Sequence, residues 1–284
     1  MSSYERNDMS QDRGILGGKL FEYLDELAGR LRGTILVFIV VFFGIFLLGP
    51  IRVKLDGYPL FFAIPSFYHS FGVVLLELME KGLVPPKMVL INVAPFDIVV
   101  SIVYISLSVA VSIIIPVLAF QLIDFAKSAL YPKERKVVTF SIVPILLLFV
   151  VGVIFALKVI IPILFHVIYA FAIDVGVLPT LGILQFVSIV VLITAGMGAV
   201  FETPVIVFSL SYIGIVHPST WLKNWRYAII GAFFIALLIS PGATGGIMEV
   251  TIAMIIIALY LSGALLAKWV VDRKYRVEEK TIAT

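Results

Sequence analysis

Residues 98–123 read IVVSIVYISLSVAVSIIIPVLAFQLI, a stretch with no charged side chain. As a helix rising 1.5 Å per residue it would be about 39 Å long, more than the roughly 30 Å hydrocarbon core of a bilayer. This run decides the fold class, and five others resemble it. They are 34–51, 138–161, 184–213, 225–240 and 247–267. The fifth is short, so the bilayer beside it must thin or a neighbour must compensate. The expected fold is all-α, a polytopic membrane bundle of six transmembrane helices.

Composition agrees. The 284-residue chain is 61% hydrophobic and 14% charged, against about 45–50% and 25% in soluble domains. No cysteine is present, which excludes disulfides, thiolate metal sites and a cysteine nucleophile. Residues 1–33 carry eleven charges, too many for the short basic start of a signal peptide, so none is expected.

The basic residues orient the bundle. With both termini inside, sixteen Lys and Arg fall on the inner side and five on the outer: Arg52, Lys54, Lys81, Lys87 and Lys158. That bias is the positive-inside signature. Residues 60–79 are apolar but broken by Pro65, Ser66, His69, Ser70 and Glu77. A seventh span there would move Lys127 to Lys136 outside. The segment is therefore read as a helical extracytoplasmic cap, with Val73 to Leu76 as its buried side. A single integral membrane domain follows: an inner amphipathic region at 1–33, the bundle at 34–267 and an inner tail at 268–284.

Leu20, Leu24, Leu27 and Leu31 recur on one helical face just before the first span. They suit an interfacial helix, yet Glu22, Asp25 and Glu26 cluster where inner-leaflet lipids are usually anionic. Solvated charges and a site for a cationic ligand are both open readings. Glu134 is the lone acid in Lys133-Glu134-Arg135-Lys136. It serves either as a local ion-pair partner or as half of a guanidinium site, since carboxylates bind guanidinium bidentately.

Glu202 lies in Gly196-Met197-Gly198-Ala199-Val200-Phe201-Glu202-Thr203-Pro204, deep in the fourth apolar run. A carboxylate at that depth must face protein or water. It either pins two helices together or marks a transport or partner-binding surface. Gly196, Gly198 and Ala199 leave one side of the span small, which suggests a concave, partly wetted surface beside it.

Other chemistry is missing from the sequence. His69, His166 and His217 are scattered, without the spacing of a zinc site. No phosphate-cradling glycine motif occurs, and topology accounts for the inner basic residues without nucleic acid. No metal, cofactor or enzymatic activity is expected.

Several local patterns, in order, resemble TatC, the six-span core subunit of the twin-arginine protein translocase. Tyr23-Leu24-Asp25-Glu26-Leu27-Ala28-Gly29-Arg30-Leu31 is similar to the family's opening motif. Phe120-Gln121 followed by Ala129-Leu130-Tyr131-Pro132-Lys133-Glu134-Arg135 resembles the exit of the second span and the first inner loop. Gly152 to Phe155 with Pro162 resembles the third span's end, and Phe201-Glu202-Thr203-Pro204 the fourth-span signature. Arg226-Tyr227-Ala228 opens the fifth. The chain departs from the family at Tyr23, at Ala28, at Leu261 and at Ser240-Pro241-Gly242-Ala243, where the family carries an aspartate.

The resemblance implies a multi-pass cell-membrane receptor for twin-arginine signal peptides of folded cargo. It would recruit small single-span subunits of the TatA/TatB type, with export driven by the protonmotive force and self-association as a further option. Glu26 and Glu134 would bind the signal peptide, supported by Phe120 and Arg30. Glu202 would be the transmembrane partner or transport site. The rival readings are a proton-coupled transporter of a small solute with Glu202 as its coupling site, and a purely structural scaffold.

Overall fold

The structure is a computed structural model that describes residues 28–29, 31–55, 58–66, 68–127, 142–240, 242 and 244–282. It is mostly helical. Helix α1 covers Leu31–Leu47, a hairpin of β1 (Leu48–Leu55) and β2 (Tyr58–Pro65) follows, then α2 (Phe71–Leu83) and β3 (Val89–Ile91). Helix α3 is Asp97–Lys127. Helices α4 (Ile142–Phe155) and α5 (Ile161–Asp174) are joined by a π turn at Ala156–Ile160. Strand β4 (Thr180–Gly182) leads into α6 (Ile183–Phe201) and α7 (Thr203–Tyr212). The short α8 (Pro218–Lys223) precedes α9 (Trp225–Ile239) and the long α10 (Ile247–Ile282).

Four helical stretches are long and apolar enough to cross a membrane: Asp97–Leu118, Val143–Asp174, Ile183–Tyr212 and Ile247–Val271. Leu31–Leu47 and Trp225–Ile239 are apolar but shorter. The α6–α7 unit is central, with α3 and α4 against α6 and with α10 against α7. Phe165, Phe186, Ile193, Met197 and Ile252 are fully enclosed in the core.

The boundaries differ most from the sequence reading in four places. The first helix ends at Leu47 rather than near Ile51. Gly49 there lies against the His69 carbonyl so closely that a Cβ would collide with it, and Pro50 follows. The chain turns instead into a hairpin, Leu48 pairing with Pro65 and Leu55 with Tyr58. The third helix runs on past Pro162 to Asp174. Proline cannot donate to the carbonyl four residues back, but the π turn upstream already bonds Ile161 N–H to Ala156 O. The sixth helix continues beyond Ala267 to Ile282, because that stretch holds no Gly or Pro to stop it.

The cap is a strand and a helix rather than one helix. Helix α2 packs on α3, with Gly72 and Leu76 buried and Val73, Val74 and Leu75 half-buried. A Cβ on Gly72 would come 2.7 Å from Ile102 Cγ2, so the contact is close. Strand β3 pairs in parallel with β4, Val89 opposite Thr180 and Ile91 opposite Gly182.

Candidate functional site

Glu202 occupies the junction of α6 and α7. Its N–H reaches back to the Ala199 and Val200 carbonyls, and its own carbonyl accepts from Val205 N–H and Ile206 N–H at 3.1 and 3.0 Å. Pro204 has no N–H to offer Val200, so the turn tightens here and the helix continues beyond it. The side chain keeps only 3% of its surface. Neither carboxyl oxygen has a hydrogen-bond partner among the described residues. Buried polar groups are normally paired, so an orphaned carboxyl marks a functional candidate.

Its surroundings are tightly packed. A Cβ on Gly198 would stand 2.7 Å from the Phe149 ring, and one on Gly196 2.7 Å from Ile239. On Gly152 it would meet the Met197 carbonyl at 2.7 Å, and on Gly263 the Pro204 Cα at 2.7 Å. The Phe155 and Phe201 rings lie 5.5 Å apart. These glycines therefore admit α4, α9 and α10 against the central helix. At Gly196 and Gly198 the space that the small residues suggested is filled by Ile239 and Phe149, while Pro204 and Val205 line an open apolar groove of about 320 Å³ with Leu148 and Leu266.

An open groove of about 530 Å³ lies between α2, α3, α4 and α6. Its lining is apolar, including Leu75, Met79 and Phe149, with hydroxyls from Ser108, Ser112 and Thr194. Thr194 Oγ1 is buried without a partner among the described residues. Thr194 lies eight residues, about 12 Å, before Glu202 along the same helix.

A second buried acid was missed by sequence reasoning. Glu249, in the first turn of α10, accepts from Ser240 Oγ at 2.7 Å and from Thr244 Oγ1 at 3.1 Å. The turn between α9 and α10 also contains Gly242, Gly245 and Gly246 at positive φ, where non-glycine residues are strained. Thr244 and Glu249 near this helix start were the available signal. At the other end of α9, Trp221 Nε1 donates to Ser211 Oγ at 2.9 Å and Tyr260 OH donates to the Trp221 carbonyl at 2.8 Å.

Glu26, Arg30 and Glu134 lie outside the described residues. Phe120 falls within α3, one position before Gln121, whose Nε2 donates to Thr34 Oγ1 at 2.6 Å and ties α3 to α1. Among the described residues no three His, Asp or Glu side chains converge as a metal site.

Comparisons with known proteins agree on one family. The profile described as "TatC: Sec-independent protein translocase protein (TatC)" matches residues 22–254. The Bacillus subtilis Sec-independent protein translocase protein TatCy is 31% identical, over 93% of this chain and 92% of its own. The Escherichia coli K12 TatC is 30% identical over 78% of each chain. The Cenarchaeum symbiosum TatC is 27% identical over 91% of this chain and 96% of its own. A crystal structure titled as the twin arginine translocase receptor TatC superposes with a TM-score of 0.70 at 24% identity, covering 87% of this chain and 98% of that one.

Proposed function

The chain belongs to the TatC family of Sec-independent protein translocase proteins, and from that premise we propose that it is the receptor subunit of a twin-arginine translocase in the cell membrane. The family is one of transport rather than catalysis. A family match over residues 22–254 carries this reading. The small-solute transporter gains nothing from it.

Six spans with both termini inside are proposed from the sixteen-to-five inner bias of Lys and Arg. Leu31–Leu47 and Trp225–Ile239 act as the first and fifth spans, each with a locally thinned bilayer. Glu26 and Glu134 are proposed as the carboxylates that meet the two signal-peptide guanidiniums at the inner surface, with Phe120 and Arg30 supporting them. Charged hydrogen bonds of this kind contribute about 1.5–3 kcal/mol each. Glu202 is proposed as the polar point that meets a recruited single-span subunit. Its support is the buried, unpartnered carboxyl.

The deciding experiment is peptide binding in detergent, a twin-arginine peptide against its twin-lysine counterpart. The wild type should prefer arginine, and Glu26→Ala and Glu134→Ala should each weaken binding by roughly tenfold or more. Equal affinity for the two peptides in the wild type would remove the receptor reading.

A further inference from the structure

Gly263 brings the α10 backbone against Pro204, but beyond that contact the helices part. Val205 and Phe208 of α7, Leu266 and Val270 of α10, and Pro144 and Leu148 of α4 line the open groove of about 320 Å³. It exists because α4 packs on α6 and α10 packs on α7, with no broad contact between α4 and α10. Every side chain that lines it is apolar.

Leu266 also lines a second open groove, with Leu265, Lys268 and Trp269. Leu266, Trp269, Val270 and Arg273 recur at steps of three and four residues, which keeps them on one stripe of α10. Arg273 therefore follows the apolar groove about 4.5 Å beyond Val270 along the helix axis. Its Cζ lies 4.4 Å from the centre of the Trp269 ring, and both side chains are exposed. A cation over the face of an indole is held there without spending its N–H donors. Those donors suit the paired oxygens of a phosphate. Lys268 is exposed beside them, and no acid lines either groove.

An apolar groove that leads to two cations matches the two-part chemistry of a phospholipid. We propose that the groove holds one acyl chain of an anionic phospholipid, with Arg273 and Lys268 binding its headgroup phosphate. The size of the groove decides between lipid and protein. One turn of α-helix, 5.4 Å high and about 10 Å across, takes up about 420 Å³, more than the whole groove. A partner helix can place only a side chain or two in it, whereas an extended acyl chain fits along it. Two cations without an acid favour a net negative headgroup over a zwitterionic one. The site needs only a chain embedded in a bilayer, so it stands apart from signal-peptide recognition.

Native mass spectrometry of the purified full chain, with phosphatidylglycerol or phosphatidylcholine added, tests this. The wild type should retain phosphatidylglycerol preferentially, and Lys268→Gln/Arg273→Gln should retain roughly tenfold less of it. Lys274→Gln/Lys280→Gln removes the same charge elsewhere on α10 and should keep the preference. Leu266→Phe narrows the groove and should lower retention of both lipids. An unchanged Tm shows that each variant is folded. Equal retention of the two lipids by the wild type, or equal loss in the two double variants, would overturn the proposal. So would full retention by Leu266→Phe. Displacement of the lipid by a helical peptide from a single-span partner would assign the groove to protein instead.

Discussion

Pro204 and Gly263 meet backbone to backbone: a Cβ on Gly263 would stand 2.7 Å from the Pro204 Cα and 2.9 Å from its carbonyl oxygen. The contact joins the kinked central helix to α10 at the turn that also holds Glu202. Gly263→Ala must push backbone against backbone, so it should cost about 1–3 kcal/mol. Gly231→Ala, whose Cβ would meet nothing within 4 Å, should be neutral or stabilising by up to about 1 kcal/mol, because alanine is the better helix former. Thermal unfolding of both variants in the same detergent checks the pair.

Glu249 is expected to hold the α9–α10 turn. Glu249→Ala leaves Ser240 Oγ and Thr244 Oγ1 without their acceptor, a loss of about 1.5–3 kcal/mol per charged hydrogen bond. Glu249→Gln keeps one acceptor oxygen and should lose less. Limited proteolysis or hydrogen exchange at residues 240–246 should report the loosening before global unfolding. An unchanged protection pattern in Glu249→Ala would reject the role.

For Glu202 stability and function should separate. The carboxyl has no hydrogen bond to lose within the described residues, and removing a buried unpaired polar group relieves a desolvation cost. Glu202→Ala should therefore leave the isolated chain at least as stable as wild type while impairing subunit recruitment or export. Twin-arginine peptide binding should stay near wild type, and Glu202→Gln should be milder. A clear fall in Tm with normal export would make the residue a helix pin instead.

Sidedness is testable because the chain has no cysteine. Single cysteines at Ser3 and at Thr281 should resist an impermeant thiol reagent in sealed cells, whereas one at Lys87 should react. Labelling of either terminus would reverse the proposed orientation.

The apolar runs made the bundle legible. Helix α9, and α6 with α7 taken together, begin and end within one residue of the reading, and α3 begins within one residue and runs four further, since uncharged stretches favour helix in a bilayer-spanning chain. What stayed hidden depends on partners distant in sequence. The hairpin after α1 had one local signal, Asp56-Gly57 between the paired Leu55 and Tyr58. The two 3-residue strands β3 and β4 had none. Gly196 and Gly198 looked like a gap because their filling comes from Ile239 and Phe149 on other helices. Glu249 was not singled out in the sequence, because Ser240 comes beside it only in the fold.

The pairing of β3 with β4 also sets an order of assembly. Ile91 cannot find Gly182 until the intervening ninety positions have been synthesised, so the edge beside α2 stays unfastened while α3, α4 and α5 are made. Only at Thr180 does that edge close, just ahead of α6, which ends at Glu202. Long-range parallel pairs close slowly. A ribosome-stalled chain ending before residue 180 would therefore carry the α2 segment still open to protease, and one extended past α7 would not.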